Sequence, residues 1–188
     1  MPPSRRAPDG EPAFLRPGQA WEHSRSAVQR KEKGQWPTPW WVVQQSLDVV
    51  LRELPENPVI LDPACGDGRW LAAVGLRIPG AKLMGWDLDP QAIAAAQSVL
   101  DGAGLKAELL CRDALAGQAH PIADLVLGNP PYIRPQNLPR DKRQEYWARF
   151  DVLTDKCDLY AAFVDRMIQL SRGPVGVVLG DTWLSMAS

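Results

Sequence analysis

The chain has 188 residues, 45% hydrophobic and 23% charged, with a net charge of −1, a make-up that suits one soluble globular domain with a substantial core and does not advertise nucleic acid. No apolar run approaches the roughly 20 residues of a membrane span, and the Arg- and Pro-rich start lacks the apolar core of a signal peptide, so a cytoplasmic protein with no membrane contact is expected. Three cysteines far apart in the chain and two histidines argue against a disulfide framework or a metal site.

In chain order, residues 1–18 contain five prolines and little apolar content, the composition of a disordered arm; residues 19–188 are expected to form the folded domain. Gln19 to Lys33 reads as a short polar helix ended by Gly34. Thr38 is expected as N-cap and Pro39 at the first position of a helix reaching about Leu54, with Val43, Leu47, Val50, Leu51 and Leu54 on one face. Pro55 and Pro58 stop that helix, and Val59-Ile60-Leu61 makes a short buried strand. The strand leads through Asp62-Pro63-Ala64-Cys65-Gly66-Asp67-Gly68 into a helix over about 69–77 that turns Trp70, Leu71 and Val74 inward.

Leu83-Met84-Gly85-Trp86 is the second strand, followed by Asp87, Leu88, an N-cap at Asp89 and Pro90 at the start of a helix to about Leu100. A third strand covers Glu108 to Cys111 and ends at Arg112-Asp113. The fourth, Leu125 to Gly128, is continuously apolar and runs straight into Asn129-Pro130-Pro131-Tyr132. Residues 133–156 are basic and aromatic. A helix from about Leu159 to Arg172, with Leu159, Phe163, Met167 and Leu170 on one stripe, precedes a fifth strand from Val175 to Leu179. Strands alternating with helices give an α/β fold with a mainly parallel sheet.

The two prolines after Asn129 hold Asn129 and Pro130 extended, leaving the Asn129 amide and the Pro130 carbonyl as fixed acceptors at a strand's carboxyl end, where open α/β sheets bind ligands. Taken alone, the tetrapeptide is equally a rigid turn with Tyr132 closing the core. The first loop adds to it. A glycine loop after the first strand, with an acid 21 positions after Gly66 at Asp87, follows the logic of a nucleoside site. Leu71 occupies the third glycine position of G-x-G-x-x-G, and Asp62 sets a carboxylate where phosphates would come, so the loop suits a ligand with a positive amino group, a ribose and an adenine: S-adenosylmethionine (SAM). Asp87 and Asp113 also have the simpler reading of helix caps or solvated surface, and Cys65 that of a small residue filling the turn.

In order, Thr38-Pro39, Asp62-Pro63-Ala64-Cys65-Gly66-Asp67-Gly68, Asp87-Leu88-Asp89-Pro90, Asp113-Ala114, Asn129-Pro130-Pro131-Tyr132 and Asp158-Leu159-Tyr160-x-x-Phe163 resemble the N6-adenine DNA methyltransferases of restriction–modification systems. The resemblance implies a Rossmann-like SAM-dependent methyltransferase with helices on both faces of its sheet. It implies that Thr38 and the loop Asp62, Pro63, Ala64, Cys65 and Gly66 hold the methionine end of SAM, and that Asp87 takes the ribose hydroxyls. Leu88 and Phe163 would flank the adenine, with Asp113 and Ala114 beside its amine. Asn129, Pro130, Pro131 and Tyr132 would be catalytic: two neutral acceptors polarise the target amine, and Tyr132 gives a flipped base a stacking face.

DNA is the expected partner, with Arg134, Arg140, Lys142 and Arg143 as candidate phosphate contacts. Family members continue beyond the fifth strand with further strands and a target-recognition domain, so the chain is expected to be a fragment or one part of a split enzyme. The open edge of its sheet would invite a second polypeptide or another copy. Two alternatives stay open: the same chemistry on protein glutamine or ribosomal RNA, and an inactive methyltransferase-like binding module.

Overall fold

A computed structural model describes residues 10–51, 54–154 and 158–179. Five strands, β1 (Val59–Asp62), β2 (Lys82–Asp87), β3 (Ala107–Cys111), β4 (Leu125–Gly128) and β5 (Val175–Val177), form one sheet in the order β3-β2-β1-β4-β5. Every pairing is parallel, with Asp62 opposite Gly85, Ile60 opposite Leu125 and Val126 opposite Val175. The chain leaves β1 toward one edge of the sheet and returns on its other side at β4. The carboxyl ends of β1 and β4 therefore flank the point where strand order reverses, and such a crevice is where these sheets take ligands.

Alternation along the strands divides the core. Ile60, Leu125 and Leu127 face a layer built from α3 (Trp40–Val50), α4 (Arg69–Arg77) and α5 (Pro90–Gly102), while Leu61 and Val126 face α6 (Arg140–Arg149) and α7 (Tyr160–Leu170). All four β4 residues are buried, as a central parallel strand requires. The stripe of α7 is buried at Leu159, Phe163, Met167 and Leu170.

Several boundaries follow the sequence. Asp89 caps α5 by accepting the Gln91 N–H at 2.9 Å, with Pro90 in the first turn. Leu71, which takes the place of a small residue, is accommodated by Gly85 on β2: a Cβ at Gly85 would lie 2.8 Å from Leu71 Cδ1. The volume missing at one position is supplied by a glycine on the facing strand.

Three expectations are corrected. The arm expected over 1–18 is ordered where it is described: residues 13–15 make a 3-10 turn and α1 (Arg16–His23) follows, with Leu15 fully buried. Its prolines start the helix, Pro12 just before the turn and Pro17 in the first turn of α1, where a missing N–H costs nothing; residues 1–9 lie outside the described residues. The polar helix expected from Gln19 is two helices, α1 and α2 (Ala27–Glu32), broken by a turn at Ser24 and Arg25. Thr38 does not cap α3. Pro39 itself is the last non-helical residue, at ψ 140°, and its carbonyl accepts from Val42 and Val43 N–H at 2.9 and 3.1 Å. Among the described residues β5 is the edge strand on this side of the sheet, and residues 180–188 lie outside the described residues.

Candidate functional site

A cavity of about 390 Å³ opens at the carboxyl ends of β1, β2 and β4, walled by Thr38, the loop from Pro63 to Asp67, Asp87, Leu88, Asp113, Ala114, Asn129, Pro131 and Phe163, with helices α1 and α2 closing one side. The structure thus brings most of the sequence-predicted residues to one cavity, with Asp62, Pro130 and Tyr132 adjoining its lining residues in sequence but not among them.

The glycine loop is held from both ends. Cys65 N–H donates to the Trp86 carbonyl at 2.8 Å, and Gly66 N–H to Asp87 Oδ2 at 3.0 Å. Asp87 Oδ1 accepts the Asp89 N–H at 2.9 Å, so one carboxylate ties the first loop to the second. Gly66 and Gly68 have φ of 53° and 77°, which favour glycine. Cys65 is buried and its thiol is pushed up by burial, so it fills the turn rather than acting as a nucleophile.

Asp62 is 1% exposed, and burial pushes its carboxyl up to about 8 despite the Ala64 N–H that Oδ1 accepts at 3.1 Å. Asp62 Oδ2, Thr38 Oγ1 and Asn129 Oδ1 are all buried without a hydrogen-bond partner among the described residues. Asn129 Nδ2 donates to the Trp36 carbonyl at 2.7 Å, an anchor that leaves the amide oxygen unpaired. Tyr132 is tied elsewhere: its hydroxyl donates to the Val178 carbonyl at 3.0 Å and its ring tilts against Tyr160 at 5.8 Å.

Asp113 Oδ1 accepts the Leu115 N–H at 2.9 Å, and its Oδ2 accepts Tyr146 O–H at 2.8 Å and Lys142 Nζ at 3.1 Å. Burial, then the hydrogen bond to Asp113, push the Tyr146 hydroxyl up, so it stays a donor. Lys142, expected on phosphate, is instead paired with Asp113 and Glu145; Arg134 and Arg140 are exposed.

The sequence reading missed the contribution of α1 and α2. Arg69, 4% exposed, donates to the Thr38 carbonyl at 2.6 Å and pairs with Asp67 and with Glu22 of α1. Burial lifts Glu22 to about 7, with Arg69 opposing it. Arg25 pairs with Asp89 and stacks 4.6 Å over the Trp21 ring. Burial alone would raise Asp89, but the Gln91 N–H, Lys33 and Arg25 outweigh it and hold the carboxyl low. Trp21 and Glu22 end α1 and Arg25 lies in the turn that follows, so their meeting depends on the break between the two helices, which the polar composition of the segment does not signal.

A family model described as methyltransferase small domain matches residues 42–146, more than half of the chain. The chain belongs to this methyltransferase family. Residues 118–188 match a second model, the Eco57I restriction-modification methylase. Among relatives, the type II methyltransferase M.BanIII of Aneurinibacillus aneurinilyticus is 29% identical over 84% of this chain, and M.TthHB8I of Thermus thermophilus is 30% identical over 72%. The chain spans 32% of the length of each. A release factor glutamine methyltransferase of Geobacter sulfurreducens is 28% identical over 71% of this chain and 52% of its own length. In fold, the methyltransferase is similar to a class I SAM-dependent methyltransferase structure from Listeria monocytogenes, with a TM-score of 0.68 and 20% identity, over 92% of this chain and 53% of that one.

The family and fold are SAM-dependent, and the cavity fits that cofactor. Its volume is that of a small-molecule site. Two unpartnered polar atoms, Thr38 Oγ1 and Asn129 Oδ1, belong to its wall. Asp87 lines the cavity and is pushed up by burial, so a cationic group beside it would favour its charged form whereas a phosphate would oppose it. Among the described residues, no helix is long and apolar enough to cross a membrane.

Proposed function

We propose that this methyltransferase transfers a methyl group from SAM to the exocyclic N6 amine of adenine in DNA, as part of a restriction–modification system and in the cytoplasm. The observation that carries the reading is Asn129 Oδ1: a buried, unpartnered acceptor at the end of β4, fixed by the Nδ2 bond to Trp36 and followed at once by the buried Pro130. An unpaired buried acceptor costs stability, and a site retains one where a ligand donor completes it.

SAM supplies, when bound, an electrophilic methyl group on a sulfonium. The chain's own residues prepare the other reactant. An adenine amine is a weak nucleophile because its lone pair is delocalised into the ring. Asn129 Oδ1 and the Pro130 carbonyl accept its two N–H groups, draw the nitrogen toward tetrahedral geometry, and stabilise the positive charge that grows only in the transition state. To reach them the base leaves the duplex, and Tyr132, with its hydroxyl anchored on Val178, offers the flipped base a ring of fixed orientation. On the cofactor side, Thr38 and the loop Asp62 to Gly66 hold the methionine end, Asp87 the ribose, Leu88 and Phe163 the faces of the adenine, and Asp113 with Ala114 its edge.

Transfer to a glutamine side chain of a protein is the second reading, favoured by the match to the release factor enzyme over 71% of the chain. A primary amide has the same planar, delocalised NH2 and would be polarised by the same acceptors.

Incubation with radiolabelled SAM, offering DNA, ribosomal RNA and release-factor protein in parallel, separates these. Label in N6-methyladenine of DNA is expected, falling about 10²- to 10³-fold in Asn129→Ala. Label in protein alone overturns the DNA reading.

A further inference from the structure

The acceptor that the proposed function assigns to the cofactor's adenine is more occupied than a lone aspartate. Each carboxylate oxygen has two lone-pair sites. Asp113 Oδ2 fills both, one with the Tyr146 hydroxyl at 2.8 Å and one with Lys142 Nζ at 3.1 Å. Oδ1 uses one on the Leu115 N–H at 2.9 Å. Among the described residues, one acceptor site is left on this group, which lines the cavity. Three donors from two separate elements, the turn after β3 and α6, therefore stop the carboxylate from rotating about its Cβ–Cγ bond. Tyr146 is 4% exposed, packed in the layer that contains Phe150 and Phe163, so its hydroxyl has little freedom to turn away.

We propose that Tyr146 is a positioning residue that holds Asp113 with a single acceptor toward the cavity, so that the site selects a purine with an amine at C6 over one with an oxygen there. This rests on the reading that the cavity holds SAM with its adenine at Asp113. An amine donates to the remaining lone pair. A 6-oxo purine sets its own acceptor against a carboxylate that cannot swing aside, and that conflict, rather than shape, gives the discrimination. Lys142 supports the same oxygen from a more exposed position, with 38% of its side chain accessible, and contributes less.

The test compares binding of S-adenosylhomocysteine and of S-inosylhomocysteine, which differ at C6 and at the adjoining N1, an acceptor in the first and an N–H donor in the second, by calorimetry with the full chain. The wild type should prefer the amino compound by about tenfold or more. Tyr146→Phe should cut the preference roughly three- to tenfold, chiefly by tightening the oxo compound, since the freed carboxylate can then turn away from the ring oxygen. Lys142→Met, a change at a half-exposed side chain, should reduce the ratio in the same direction by less. Equal loss of both ligands in Tyr146→Phe with an unchanged ratio would mean a merely structural side chain and overturn the proposal, as would an unchanged ratio in Lys142→Met should the tyrosine variant not fold. A separate pair of outcomes reports on the underlying reading: a wild type without preference, or Asp113→Asn keeping it, removes Asp113 from the cofactor site and the proposal with it.

Discussion

Gly128 and Asp62 approach so closely at the ends of β4 and β1 that a Cβ on Gly128 would lie 2.5 Å from Asp62 Oδ1. Gly128 also has φ of 152°. The buried carboxylate and the residue before Asn129 thus share one space, and only a glycine fits it. Gly128→Ala is expected to destabilise the protein by about 1–3 kcal/mol through overpacking and backbone strain. Urea unfolding measures it, and a midpoint equal to the wild type would show that β1 and β4 can spread at this end.

The same carboxylate sets a pH dependence. Burial raises Asp62 to about 8 and Glu22 to about 7, whereas unfolded carboxylates titrate near 4. Between those values the folded chain binds more protons than the unfolded one, so stability is greatest at the acid side of the window and falls as pH rises through 7 and 8. Asp62→Asn keeps the shape and removes one of these groups. Its melting temperature should decline less steeply than the wild type's between pH 5 and pH 8.5, and exceed it at pH 8.5, while SAM affinity drops. Identical slopes would show that Asp62 ionises in the fold without cost.

Much of this was legible because it rests on local rules. The apolar run of β4, the Asp89-Pro90 cap and the glycine loop each declare themselves within a few residues, and parallel pairing follows from their alternation with helices. What was not legible depends on contacts distant in sequence. Pro12 and Pro17 have the composition of a disordered arm, and only the burial of Leu15 and the pairing of Glu22 with Arg69, 47 positions away, make them the start of an ordered helix. Thr38 was misplaced because a proline after it reads as a first helical residue, yet Pro39 keeps an extended ψ. Tyr146 and Lys142 lay in a basic stretch whose average character gave no hint that two of its side chains would end on Asp113.

Arg69 gathers the segment that closes the cavity. Its guanidinium meets Asp67, Glu22 and the Thr38 carbonyl with 5% of its side chain accessible. Arg69→Met retains much of the volume but leaves two carboxylates without their cation, a loss of about 3–5 kcal/mol. The expected signature in thermal unfolding is a lowered midpoint that partly recovers at acid pH, where Glu22 is neutralised. A pH-independent loss would assign the effect to packing alone.

Leu88 and Phe163 both border the cavity but differ in what else they support, and this separates binding from folding. Leu88 is 66% exposed at the end of β2, an apolar side chain with little core to serve, whereas Phe163 is 8% exposed within the α6–α7 layer. Replacing Phe163 by Ala removes core contacts and should cost about 3–5 kcal/mol of stability, so any loss of binding there is confounded. Leu88→Ser touches only the rim. Its unfolding midpoint should stay within about 0.5 kcal/mol of the wild type. If Leu88 covers one face of the adenine, the apolar area it loses on substitution corresponds to about 1–2 kcal/mol, or roughly five- to thirtyfold weaker SAM binding by calorimetry. Unchanged affinity in a variant of unchanged stability would take Leu88 out of the cofactor site, since no folding defect would be present to mask the result.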